Sequence, residues 1–594
     1  MSIKGSGDVK TRIIHSPQKN GDIYVLERKT VYDPEKKYNK VLSTKLISKI
    51  PKGTQTCVPT RPKRNKKSNE HQIIADDTVK KGVPSANKLV ASRKRTGMMS
   101  IIDHIGKVSG IDDAIYANTD TGTAQKIISL ARYLLATDGQ TLPGIATWQY
   151  NHPLPYKEGI SEEIYHRLFK ETGLDESLQQ NFFKSRCESL NGGAGIAYDS
   201  STFSTYSENQ LEARYGFNKA GDGLKIIKYL ALYSIENRQP IAFTKQQGDL
   251  PDVLTIGNAL NQLLALGVSG AEIITDNGYY SEQNISELFQ AHFDFITLAK
   301  TGLKWIKSEI DKHHKDLEKL SSVCPFDPAT HGITVTLMRN FVKVRKYANK
   351  KTGAEQGEEE SFSRRVYLHI FYNAGRKVDE DLYFEQKLLT LKKMLEEGTP
   401  IDELNDAAQK KVKKYFSIRT RGKKTIVSFN ERACIQAKKY HGYFTLLSNG
   451  EKNTFQSLSK YRKREYIEDY FRSSKQHADS MRIRVWDADT LRGRMFVQFI
   501  SLCYYEYLSE TVRQMKLSLG MPNGDPVHDL KQNLDLEKKL KSWLDNTPIY
   551  MQLQWFDVIE GIEISSVLLS KRWTSEITKR DKMYVEMLGL KSGL

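Results

Sequence analysis

Residues 190–300 order their apolar runs in a way that few folds accommodate. AGIAYD (194–199) is a short apolar run that ends in Asp199, and LKIIKYLALYSI (224–235) is a longer one. ENRQP reads as a turn, and IAFTKQ follows as a third strand. The next segment, VLTIGNALNQLLALG, is helical in period and is closed by Gly267 as a C-cap. AEIITD (271–276) is strand-like and ends in Asp276, SEQNISELFQAHF is helical with Ser281 placed to cap it, and DFITLAK is strand-like. Three strands joined by short connections come first, and helices alternate with strands after them.

That βββαβαβ order is the order of a ribonuclease H-like fold, so the expected class is α/β with a mixed sheet. Around it the chain divides by composition and period. Residues 1–98 read as a strand-rich piece with a basic linker (RPKRNKK at Arg61–Lys67, RKR at Arg93–Arg95), and residues 99–189 as a helical, DNA-binding region. The catalytic fold then runs over 190–300 and resumes at 446–515. The strands and charged loop of 301–445 read as an insertion domain, and 516–594 as a helical C-terminal region.

The chain has 594 residues, too many for one core, and carries a net charge of +19, which points to a polyanionic partner. Its five cysteines are scattered without a CxxC pair, which argues against a disulfide framework and a structural zinc site. Met495–Leu508 is the most apolar stretch, but Gln498, Ser501 and Glu506 interrupt it, so it reads as a buried helix rather than a membrane span. A soluble cytoplasmic protein, associated with the nucleoid of a prokaryote, is the expectation.

The segment SKYRKREYIEDYFRSSKQ carries the most chemical information. Tyr461, Arg464, Glu468 and Lys475 follow one another by three, four and seven residues. At about 100° per residue they point within roughly 60° of one another and form one polar stripe. Tyr466, Ile467 and Tyr470, with Phe471 on the flank, make an apolar face fit to dock on a sheet. Such a stripe is often only a solvated face with i,i+4 ion pairs worth a few tenths of a kcal/mol. Likewise, Asp199 and Asp276 could each be a turn or capping residue. Three such coincidences in this order are less economical than one shared site.

The pattern resembles the insertion-sequence DDE transposases, specifically the group with the YREK signature. Tyr461, Arg464, Glu468 and Lys475 match that signature at every spacing, and YDSSTFS, ITDNGYYSEQN and IEDYFRSSK are similar to the group's motif contexts. Asn277 departs from it, an Arg being common there. The resemblance implies that Asp199, Asp276 and Glu468 are catalytic and hold two Mg2+ ions, with Mn2+ as an alternative. It implies that Tyr461, Arg464 and Lys475 hold DNA at the transposon end. Two ions about 3.5–4 Å apart suit phosphodiester cleavage, and carboxylate oxygens suit Mg2+. The partners implied are double-stranded DNA (terminal inverted repeats and target) and a second copy of the chain in a paired-end complex. The rival readings are a repurposed, inactive DNA-binding regulator and a ribonuclease H-like nuclease.

Overall fold

The computed structural model describes residues 9–33, 37–54, 56–59, 90–188, 190, 194–344, 357–421, 424–477, 482–519, 530–565 and 570–590. The basic run Arg61–Lys67 and the charged loop up to residue 356 lie outside them. The chain divides into two compact units, Met1–Ser85 and Ala86–Leu594.

The first unit is an antiparallel sheet in chain order: β1 (Lys10–Pro17), β2 (Ile23–Asp33), β3 (Tyr38–Ile50) and β4 (Val58–Pro59). Among its described residues Val25 is the one large apolar side chain that is buried, and Ile13, Val41, Leu42 and Ile47 are exposed.

The second unit opens with β5 (Val90–Arg95) and a run of helices: α1 (Gly97–Val108), α2 (Ile111–Tyr116), α3 (Thr121–Ala136), α4 (Ile145–Trp148), α5 (Glu162–Leu174) and α6 (Glu176–Glu188). Helices thus occupy most of the span from Gly97 to Glu188. Then come β6 (Gly195–Thr205), β7 (Lys225–Ser234), β8 (Gln239–Gln247), α7 (Ile256–Ala265), β9 (Glu272–Thr275), α8 (Glu282–Gln290) and β10 (Asp294–Ala299), the βββαβαβ order read from the sequence. Local signals act as expected. Gly267 takes φ +81 after α7, a conformation free of strain only for glycine, and Ser281 Oγ accepts the backbone N–H of Asn284 to cap α8.

After α9 (Lys304–His313), the chain forms β11 (Val323–Cys324), β12 (Asp327–Val344) and β13 (Glu359–Asn373). Next are α10 (Ala374–Glu396), α11 (Asp406–Tyr415), β14 (Phe416–Arg421), β15 (Lys424–Phe429) and α12 (Glu431–Lys438). Leu388, Leu391, Leu395, Val412, Tyr415 and Phe416 give this segment a small core of its own. β16 (Tyr443–Ser448), α13 (Thr454–Arg462), α14 (Glu465–His477), β17 (Arg482–Ile483) and α15 (Ala488–Ser518) follow. α15 buries Met495–Tyr504 almost completely, as its apolar run requires.

β6 to β13, β16 and β17 form one mixed sheet in the order β11-β12-β13-β16-β10-β9-β6-β7-β8, with β17 added to β6, and β14 and β15 pair only with each other. β6–β7–β8 are antiparallel, and β6–β9–β10 are parallel. This large mixed sheet is consistent with a ribonuclease H-like fold. β11, β12 and β13 of the sequence's insertion extend the same sheet, because β13 pairs with β16 and β16 with β10.

Two readings differ from the structure. The RKR run is no linker: it lies in β5, which pairs with β18 (Glu560–Ser565). There Arg93 pairs with Glu560 at 2.6 Å and Arg95 with Asp557 at 2.7 Å. The C-terminal region is not purely helical either, because α16 (Leu530–Asn546) and α17 (Ile549–Phe556) lead into β18 and β19 (Ser570–Thr574) before α18 (Lys579–Met587). The β5–β18 pairing joins residues more than four hundred positions apart, which no local pattern records, whereas β18 and β19 form a local hairpin.

Candidate active site

Asp276 follows β9 directly. Its carboxylate accepts the backbone N–H of Asn277 at 2.6 Å, which caps a short turn of 3-10 helix. Asp199, in contrast, is not at a strand end. β6 runs on through SSTFST to Thr205, and Ser200, Ser201, Thr202, Ser204 and Thr205 are all buried. What ends near Asp199 is its neighbour: β9 pairs with β6 only at Gly195–Ala197, and β17 rejoins that edge at Ser204. The edge between them is left open, and both aspartates stand at this opening.

The helix read as continuous is two helices. α13 ends at Arg462, α14 begins at Glu465, and the N–H groups of Arg464, Tyr466 and Ile467 bond three residues back rather than four. The apolar face survives this kink. Ile467, Tyr470 and Phe471 are buried against the sheet and α15, and Tyr470 and Tyr229 of β7 share a hydrogen bond of 2.7 Å between their hydroxyls. Glu468 is thereby held on the opposite, half-exposed side.

Arg464 bridges two of the three carboxylates. Its guanidinium lies 3.0 Å from Asp199 and 2.5 Å from Glu468, and the charge of Asp276 acts on it as well. Burial works to lower its pKa, but Tyr461, Asp199, Asp276 and Glu468 together raise it. For Asp199 the balance is reversed. Burial raises its pKa and Asp276 adds to that, against the opposing charges of Arg464 and Lys219. Tyr461 donates to Asp276 at 3.4 Å, and burial pushes its hydroxyl up to about 12. Lys475, the last of the stripe, is half-buried on α14, and burial followed by the charge of Lys219 lowers its pKa.

The structure therefore gathers Asp199, Asp276, Glu468, Tyr461 and Arg464 around one point, with Lys475 to one side. Among the described residues no group of three His, Cys, Asp or Glu side chains could hold a metal ion as placed, because the acids turn toward Arg464. The donor set still suits a hard divalent cation. All three candidate groups are carboxylates, and a positive charge is already nested among them.

A family model described as "Transposase DDE domain" matches residues 191–504. The chain belongs to that transposase family. It is a family of nucleic-acid-cleaving enzymes, and the matched span of the DDE domain contains all six residues above. Among solved structures the chain is similar to the piggyBac transposase in its synaptic complex with hairpin DNA, at 12% identity over 77% of this chain and 78% of that one, with a TM-score of 0.31. No curated protein matches it.

Two residues of the DDE domain that border the site were not found from the sequence. Tyr279 donates to Asp199 at 3.4 Å, and its place three residues after Asp276 in DNGYY was the available signal. Lys219 lies in the loop between β6 and β7, and its ammonium donates to the backbone carbonyl of Ser200 at 2.8 Å. No sequence pattern marks it.

Proposed function

We propose that this chain is a cut-and-paste DNA transposase of the YREK insertion-sequence group, cleaving transposon ends and joining them to target DNA. The observation that supports this most is the convergence of Asp199, Asp276 and Glu468, from three separate elements, on the guanidinium of Arg464. An ordinary ion-paired helix face would not require a buried strand aspartate at its centre.

On this reading Asp199, Asp276 and Glu468 hold the divalent cations, Mg2+ or Mn2+. Bound there, such ions would neutralise charge on the scissile phosphate and favour the deprotonated attacking oxygen. Arg464 then serves as a counter-ion that keeps the acids together before DNA arrives. Its Nε is buried and unpartnered among the described residues, and once cations take up the acids the terminal nitrogens now held by Asp199 and Glu468 would be released to a phosphate. Tyr461 orients Asp276, and Lys475 offers a point charge. The partners are double-stranded DNA, as terminal repeats and target, and a second copy of the chain in the paired-end complex. The setting is a prokaryotic cytoplasm.

The test is strand cleavage by purified protein with Mg2+, on duplexes taken from the DNA flanking the reading frame. Glu468→Gln is expected to abolish cleavage while end binding stays within about threefold, as for loss of a group used only in the reaction. Equal cleavage by the variant would remove Glu468 from the reaction. Binding without any nicking by the parent chain would favour the regulator, and nicking without joined products would favour the nuclease.

A further inference from the structure

Arg238 stands where a side chain is costly. It closes the turn of residues 235–238 between β7 and β8 at φ +50, a left-handed conformation that glycine adopts freely and a residue with a Cβ does not. Such strain persists only where the surroundings hold it. The turn is fixed at its base: Ile235 is buried and donates its N–H to Gly195 O at 3.0 Å, and Glu236 accepts the N–H of Gly195 at 2.9 Å. From this base the side chain of Arg238 spans two helices. Its guanidinium lies over the ring of Tyr466 on α14, 3.6 Å from the centroid, and its Nε is 3.7 Å from Glu510 of α15.

α14 is also the helix that carries Glu468. At about 100° per residue, Tyr466 and Glu468 point about 160° apart. They occupy opposite flanks of the inner face made by Ile467, Tyr470 and Phe471. A rotation of α14 about its axis that displaces Tyr466 therefore carries Glu468 through the same angle. The flank of Tyr466 is loosely filled. A cavity of about 190 Å3 lies there, walled by Asp469 and Ser473 of α14, Tyr505 and Ser509 of α15, and Arg238 itself. Side chains beside a void forfeit contacts, so packing restrains this flank weakly. The kink adds to the freedom, because the N–H groups of Tyr466 and Ile467 bond three residues back.

We propose that Arg238 is a positioning residue for Glu468: stacked on Tyr466 and paired with Glu510, it braces the flank of α14 opposite the acid and sets how Glu468 meets a divalent cation. The brace rests on the transposase reading of the site and adds to it a contact from the β7–β8 turn.

The test is Mn2+ binding by the full chain without DNA, followed by loss of the free-ion electron paramagnetic resonance signal. Beside it, single-turnover cleavage is read over a range of Mg2+ concentrations. Arg238→Gly keeps the turn, since glycine accepts its φ. It is expected to weaken Mn2+ binding about tenfold, the scale for loss of a residue that orients a metal ligand. The Mg2+ midpoint of cleavage should rise by a similar factor, with the rate at saturating Mg2+ and the affinity for DNA within about threefold of the parent. Tyr466→Ala should match Arg238→Gly, and the double variant should be no worse than either, because both remove the same stack. Parent-like ion dependence in Arg238→Gly, even with a lower melting temperature, makes the contact merely structural and overturns the brace, as do losses that multiply in full. Should Arg238→Gly not fold, Tyr466→Ala decides: weaker ion binding supports the brace and parent-like binding overturns it. Should Mn2+ binding without DNA be too weak to follow, the Mg2+ midpoint decides. A parent whose ion binding depends on Arg238 but which never nicks fails the transposase reading alone. A parent that nicks while Arg238→Gly keeps its ion dependence fails the brace alone, and a parent that neither binds the ion nor nicks fails both.

Discussion

The two largest sheets among the described residues differ in what lies on their faces. In the four-stranded sheet of the first unit Val25 is the buried apolar side chain, and β3 is exposed over most of its length. In the ten-stranded sheet β6, β7, β9 and β10 are buried almost throughout, with α14 and α15 packed on them. Both sheets are built from long antiparallel ladders, so ladder pairing alone does not explain why one of them carries the site. Packing does. Carboxylates on an exposed ladder would drift, whereas Asp199 and Glu468 are held by elements whose opposite faces are locked.

The comparison is broken most severely at the acids themselves. Asp199→Asn should lower cleavage by a factor of about a thousand or more, the scale for removal of a group used only in the reaction. Ile13→Ala in the first sheet should leave the cleavage rate per bound complex unchanged. Both are read by single-turnover gel assays, and an Ile13 effect as large as that of Asp199 would end the distinction.

Stability should divide in the same way. Phe295→Ala, in the middle of β10 and fully buried, is expected to cost about 3–5 kcal/mol in denaturant unfolding. Leu42→Ala on exposed β3 should cost no more than about 0.5 kcal/mol.

A separate effect is one of pH. Glu506 of α15 is buried and accepts the hydroxyl of Tyr233 at 2.8 Å, and burial pushes its carboxyl up to about 8. The folded form then binds this proton more tightly than the unfolded chain does. Its contribution to stability is full below the ordinary glutamate range, falls as pH rises toward 8, and is flat above. Glu506→Gln should flatten that part of the melting profile. A profile unaltered by the substitution would assign the pH response to other groups.

Much of the larger sheet was legible because local signals agree there. The apolar runs, the Ser281 cap and Gly267 all mark boundaries that the structure keeps. Asp276 stands where its strand was read to end. The sequence misleads at β6, because SSTFST looks like a polar turn. It is strand because the loop that carries Lys219 and the neighbouring strands bury those small hydroxyls and give them partners. The kink between α13 and α14 was also invisible. It leaves the spacing of Tyr461, Arg464 and Glu468 intact, so counting residues could not reveal it. Lys219 and the β5–β18 pairing depend wholly on distant contacts, and no window of sequence contains them.

The sheet order has a consequence for how the protein is made. β16 lies between β13 and β10, so a chain emerging from the ribosome has both flanks of the sheet before it has the strand that joins them. α14 follows that strand, and Glu468 with it. On the proposed reading, a nascent or prematurely released chain would hold two acids without the third and could cut nothing, which would delay any attack on the genome until translation is far advanced.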